Sequence, residues 1–153
     1  MAEIEGLADL KRSLAELTTD LKKKVVRAGL RDAAAPIAKA AREKAPVLKQ
    51  SATYRLPGTL KRSIITKASK RINGQNGEIG VYVAVRKRKG LGGKSSARNP
   101  FDPFYWRFQE FGTQHHAAQP FMGPAFNANA ERAIDIFTAR LKTRIDKANA
   151  RRP

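Results

Sequence analysis

The chain has 153 residues, with 31 Lys and Arg against 13 Asp and Glu, a formal net charge of +18. It has no cysteine, which excludes disulfide frameworks, thiolate chemistry and cysteine-based zinc sites. No run approaches the roughly 18 apolar residues of a membrane span. The charge says nothing about fold, but it favours polyanions and acidic protein surfaces as partners. The length predicts one domain, residues 1–153, able to bury a core without a metal or a disulfide. The opening residues MAEIEGLADLKRS are acidic and discontinuous in apolarity, which argues against a secretory signal.

In chain order, Leu7, Leu10, Leu14, Leu17, Leu21 and Val25 step by three and four and predict one helical stripe. Gly29 and Pro36 mark a break or kink, after which an Ala-rich helix runs to Ala45 and stops at Pro46. Residues 1–45 are therefore an N-terminal helical region, and 46–58 a loop. From Thr59 to Ile72 the chain is β-prone, with Asn73–Gly77 as a turn into the strand Glu78–Arg86. That strand sets Ile79, Val81, Val83 and Val85 on one face. Residues 59–86 thus predict a β-hairpin in a small antiparallel sheet.

Residues 86–100 hold six basic residues and no acid, so burial cannot order them, and 87–100 are expected to form a flexible basic loop. Arg86, Lys87, Arg88, Lys89, Lys94 and Arg98 are its candidate polyanion contacts. The segment Phe101–Phe126 then carries eight of the eleven aromatic residues and both histidines. Asp102-Pro103 predicts a capped short helix. Phe104, Phe108 and Phe111 would form its buried face, and Gly112 its end. Pro124 opens a last helix striped by Phe126, Ala130, Ala133, Phe137, Leu141 and Ile145, to about residue 147. The order of elements predicts an α+β fold: a long N-terminal helix, a small antiparallel sheet, a short aromatic helix and a C-terminal helix packed on the sheet.

Catalytic chemistry has little to work with. Glu110 with His115 and His116 is the best cluster, but adjacent histidines diverge and match no metal-site spacing. The Leu91–Ser96 stretch lacks Walker spacing. No catalytic residue, metal site or cofactor is expected. The +18 charge and the basic loop leave a nucleic-acid-binding module as the alternative reading.

Three pieces in order carry a family resemblance: Ala45-Pro46-Val47 with Gly58-Thr59-Leu60-Lys61-Arg62-Ser63-Ile64; Tyr105-Trp106-Arg107-Phe108-Gln109-Glu110-Phe111-Gly112-Thr113; and Gln119-Pro120-Phe121-Met122-Gly123-Pro124-Ala125-Phe126. Together they resemble the tail-completion, or head–tail joining, proteins of long-tailed bacteriophages, the gene product ten-like family. Two departures are visible: Leu48–Leu56 intervene before Pro57-Gly58-Thr59, and Trp106 stands where the family has Ala. The resemblance implies a non-enzymatic virion protein forming a ring at the neck, a hexamer, between tail-tube and head-connector proteins. It implies the virion neck or tail as the location, with host cytoplasm during assembly; the charge adds non-specific DNA as a candidate contact, and the lack of a long apolar run predicts no membrane association. Leu7, Leu14, Leu21, Tyr105, Trp106, Glu110, Phe121 and Met122 are the candidate oligomer or partner contacts. Phe104, Phe108, Phe111 and Phe121 are expected to be mostly buried. Glu110 is expected to accept backbone N–H groups or pair with an arginine.

Overall fold

The computed structural model describes residues 7–15, 17–49, 55–69, 78–88 and 99–150. Helix α1 spans Leu7–Ala15 and α2 Thr19–Lys44, so the leucine stripe is divided between two helices. Leu17 N–H closes on Leu14 O at 3.3 Å, and Thr18 O receives Lys22 N–H at 2.8 Å as α2 begins. Asp20 in the first turn complements the exposed amide groups there. The interruption falls before Thr19 instead of at Gly29 or Pro36, both of which lie inside α2. Pro36 removes one helical N–H, yet the helix continues through it.

The chain forms two compact units. One comprises Met1–Ala35, Lys67–Tyr82 and Glu131–Pro153, the other Pro36–Thr66 and Val83–Ala130. The passages between them fall inside α2, inside both strands and at the start of the last helix.

In the first unit Leu17, Val25, Leu141 and Ile145 form the buried cluster, with Leu10, Leu14, Leu21, Val26 and Phe137 against it. The split stripe therefore still faces one core. Leu141 and Ile145 come from α6 (Ala130–Asn149). Gly29 has a packing role: a Cβ there would lie 3.3 Å from the Phe137 ring, so its small size lets α2 and α6 approach closely.

In the second unit a short helix, α3 (Thr59–Ser63), precedes strand β1 (Ile64–Ala68). The β reading of residues 59–72 is thus corrected at its first five positions. Gly58, in the left-handed region at φ 74°, turns the chain into α3. Arg62 N–H then donates to Gly58 O at 3.0 Å and Ser63 Oγ to Thr59 O at 2.8 Å. Thr59, Leu60, Ser63 and Ile64 are buried while Lys61 and Arg62 are exposed, a pattern that follows a helical turn and not the alternation of a strand.

Strand β2 (Val81–Val85) pairs with β1 in a two-stranded antiparallel sheet. Ser69 N–H donates to Gly80 O and Arg86 N–H to Ser63 O, each at 2.8 Å, which puts Ile64 opposite Val85 and Thr66 opposite Val83. Val85 is buried, Val83 half-buried and Tyr82 exposed, as the alternation predicts. The expected turn at Asn73–Gly77 lies outside the described residues. Arg42 donates through both Nε (3.2 Å) and Nη2 (2.9 Å) to Ile64 O, covering a carbonyl of β1.

Around this pairing Ala41, Ala45, Leu60, Ile64, Val85, Phe121 and Ala125 make a second core, flanked by Tyr105, Trp106 and Met122. The last helix is two pieces, α5 (Met122–Asn127) and α6, separated at Ala128-Asn129. Asn129 Nδ2 donates to Ala125 O at 2.9 Å across that break. Phe126, expected on the buried stripe, is exposed.

Candidate functional site

The aromatic segment is organised by one carboxylate. Helix α4 spans Trp106–Phe111 and ends at Gly112, whose N–H returns to Phe108 O. Asp102 was expected to cap this helix, but α4 starts four residues later. Asp102 is almost wholly buried, and its Oδ1 accepts Arg88 N–H at 3.4 Å. A turn closed by Trp106 N–H on Pro103 O at 3.0 Å fills the gap.

On α4 the inward positions are Trp106 and Glu110, four residues apart. Glu110 is buried, and both its oxygens are engaged by the start of α5. Oε2 accepts the N–H groups of Phe121 (2.9 Å) and Met122 (3.0 Å), and Oε1 that of Gly123 (2.9 Å). Burial pushes this carboxyl up, but the three N–H donors outweigh it and hold the pKa below the ordinary glutamate value. Of the two roles expected for Glu110, acceptance from backbone N–H groups is the one found.

The connection between α4 and α5 is tight. Gly112 has φ 75°, and a Cβ there would lie 2.9 Å from Ala118 N and 3.0 Å from His116 O. Thr113 and His116 exchange backbone bonds at 2.8 and 3.3 Å, and Gln119 N–H donates to Gln109 O at 2.7 Å. His115 and His116 are exposed on this turn, and His116 Nε2 lies 3.4 Å from Gln109 Oε1. Among the described residues no three His, Cys, Asp or Glu side chains are grouped to hold a metal.

Beside the clamp, Arg55 lies over the rings of Tyr105 (5.1 Å) and Phe104 (5.6 Å), which meet edge to face at 5.5 Å. Burial raises the Tyr105 phenol pKa, and the Arg55 charge offsets part of that rise. Arg107 lies 5.5 Å from the Trp106 ring centroid.

The outward face of α4 overturns an expectation. Phe108 is 52% and Phe111 76% exposed, and Phe101 and Phe126 are also exposed, at 51% and 56%. Of the four phenylalanines expected inside, Phe121 is fully buried and Phe104 half-buried. The i, i+4, i+7 spacing of Phe104, Phe108 and Phe111 does mark a face, but Glu110 and Trp106 occupy the competing one. The three N–H donors fix which faces inward.

The other candidate contacts are distributed as follows. Leu14 and Leu21 are half-buried against the first core; the side chain of Leu7 lies outside the described set. Tyr105, Trp106 and Met122 flank the second core. Arg86, Lys87 and Arg88 are exposed after β2, while Lys89, Lys94 and Arg98 lie outside the described residues. Arg88 lines a cleft of about 270 Å³ with Thr59, Arg62, Ser63 and Phe101. Among the described residues no helix is long and apolar enough to cross a membrane.

A family model described as "Bacteriophage HK97-gp10, putative tail-component" matches residues 8–112. No curated protein and no solved structure matches the chain. The matched stretch covers both N-terminal helices, the sheet and α4 up to Gly112. The N–H groups that Glu110 binds lie just beyond it.

Proposed function

The chain belongs to the HK97 gp10-like family of bacteriophage tail components, and we propose that it completes the tail and joins it to the head. In this reading it is a non-enzymatic structural protein acting as a homo-oligomeric ring at the neck, with tail-tube and head-connector proteins on its two sides. The family resemblance suggests sixfold symmetry. Assembly would take place in the host cytoplasm, and the mature location would be the virion.

The observation that carries this reading is the presentation of Phe108 and Phe111. Both are exposed on a six-residue helix, too short to be stable alone, that the Glu110 carboxylate ties to α5. Exposed aromatic side chains held on a fixed frame are suited to being covered by a neighbouring protein. Their fixed positions reduce the ordering entropy that association would otherwise cost.

Light scattering of the purified protein, followed by electron microscopy with tail tubes, tests the reading. Closed rings at tube ends are expected, and Phe111→Ser should remove them while leaving the subunit folded. A wild-type protein that stays monomeric and never decorates a tube end would refute it.

The exposed Arg86-Lys87-Arg88 run favours a second reading, a basic nucleic-acid-binding module. Steeply salt-dependent affinity for generic DNA without any ring formation would support that alternative.

A further inference from the structure

Helix α2 carries Lys24, Arg27 and Arg31 at i, i+3 and i+7, which puts three cations along one face within two turns. With Ala28, Asp32 and Arg144 of α6 they line an open cleft of about 370 Å³ inside the first unit. Asp32 is the one acid in that lining, and it is already paired: Arg144 Nη2 lies 2.8 Å from Asp32 Oδ2. The Nε atoms of Arg27 and Arg144 are withdrawn from solvent and have no hydrogen-bond partner among the described residues.

Like charges at neighbouring helical positions repel. Four cations around one cleft, offset by a single carboxylate, are not explained by packing. Two guanidinium groups also each keep a buried N–H unpaired. A bound anion would answer both observations. The Nε–Nη edge of Arg27 is a pair of parallel donors, the arrangement that grips an oxyanion bidentately once it faces the cleft.

We propose that this cleft binds a phosphate-type oxyanion, either inorganic phosphate or the phosphodiester of a nucleic-acid backbone. A carboxylate fits less well. Its two oxygens lie in one plane, whereas the tetrahedrally arranged oxygens of a phosphate group can face cations on both α2 and α6. The inference stands apart from the assembly reading, since it uses none of the residues of α4 or α5.

Titration calorimetry with inorganic phosphate, at ionic strength held constant with chloride, tests the site. Saturable binding is expected, weakened about tenfold or more by Arg27→Gln, as loss of a bidentate charged contact implies. Arg31→Gln, at an exposed position, should weaken it while leaving the fold intact. Lys142→Gln, on α6 away from the cleft, should change nothing. The source of the phosphate is read from binding to a short DNA duplex across a salt series. If the cleft holds backbone phosphates, Arg27→Gln and Arg31→Gln lower the slope of log affinity against log salt by about 1 each. A slope unchanged in both, with saturable phosphate binding, identifies the free ion as ligand. Folded Arg27→Gln and Arg31→Gln proteins that match wild type in both titrations would overturn the proposal, as would equal losses in Lys142→Gln.

Discussion

Glu110 and Phe121 are joined across the α4–α5 turn by a 2.9 Å bond from the Phe121 N–H to Glu110 Oε2. That bond fixes the placement of both residues. Phe121 is fully buried in the second core, and its backbone amide is buried with it. A buried N–H left without an acceptor would cost about 1–3 kcal/mol. The same carboxylate also serves Met122 and Gly123, so one side chain satisfies three consecutive amides where α5 begins.

Glu110→Ala is therefore expected to destabilise the protein by about 3 kcal/mol, the loss of charge-assisted bonds tempered by water reaching some of the freed amides. Glu110→Gln keeps one acceptor oxygen but turns an NH2 group toward donors, so about 2 kcal/mol is expected. Urea denaturation of the three proteins measures this. Equal midpoints would remove the clamp from any account of stability.

The pH dependence follows from the direction of the Glu110 shift. Its folded pKa lies below the unfolded value, so the folded state favours the charged form. The stabilisation is complete above the ordinary glutamate range and drains away as pH falls from about 5 through the folded pKa. Wild type should lose stability over that window more steeply than Glu110→Gln, whose residue 110 does not titrate. Denaturant midpoints across the acid range would show the two curves converging. Parallel curves would contradict the assignment.

How far the sequence told this story depends on which interactions decide each element. Leu10, Leu14, Leu17, Leu21 and Val25 were legible as one stripe because burial alone places them, and they share a core despite the helix break before Thr19. The alternation of β2 was legible for the same reason. The α4 face was not. Both Phe108/Phe111 and Trp106/Glu110 satisfy helical spacing, and hydrophobicity favours the first pair. The choice is made by three amides eleven to thirteen residues downstream, a non-local demand that no window on α4 contains. The start of α3 misled differently: the β-prone run Ile64-Ile65-Thr66 draws the strand reading back over Thr59–Ser63, where Leu60, Lys61 and Arg62 are good helix formers behind the left-handed turn at Gly58. Lys24, Arg27 and Arg31 did carry a readable signal, the helical spacing of three cations, but the cleft needed Arg144 from more than a hundred residues away.

Gly112 should tolerate no side chain. Its φ of 75° and ψ of −179° lie in a region almost confined to glycine and disfavour any L-residue by about 1–3 kcal/mol. The added Cβ would also press on backbone atoms of His116 and Ala118 that cannot swing aside. Gly112→Ala is expected to cost about 2–4 kcal/mol in total, with the excess over backbone strain coming from displacement of the Thr113–His116 turn. Thermal unfolding monitored by circular dichroism would detect the loss. A melting temperature within a degree of wild type would mean that the turn can relax.

The two faces of the aromatic segment should separate cleanly in mutagenesis. Phe121→Ala empties the centre of the second core, among Leu60, Ile64 and Ala125, and should cost about 3–5 kcal/mol. Phe111→Ala removes a ring that is three-quarters exposed, so stability should change by no more than about 0.5 kcal/mol. Assembly should show the opposite selectivity for the folded variant. Phe111→Ala is expected to keep its denaturation midpoint while losing self-association measured by sedimentation velocity, because the ring has no large intramolecular contact to lose. If Phe111→Ala unfolds the protein as Phe121→Ala does, α4 is packed the other way round. If it changes neither stability nor association, the exposed phenylalanine face is not where subunits meet.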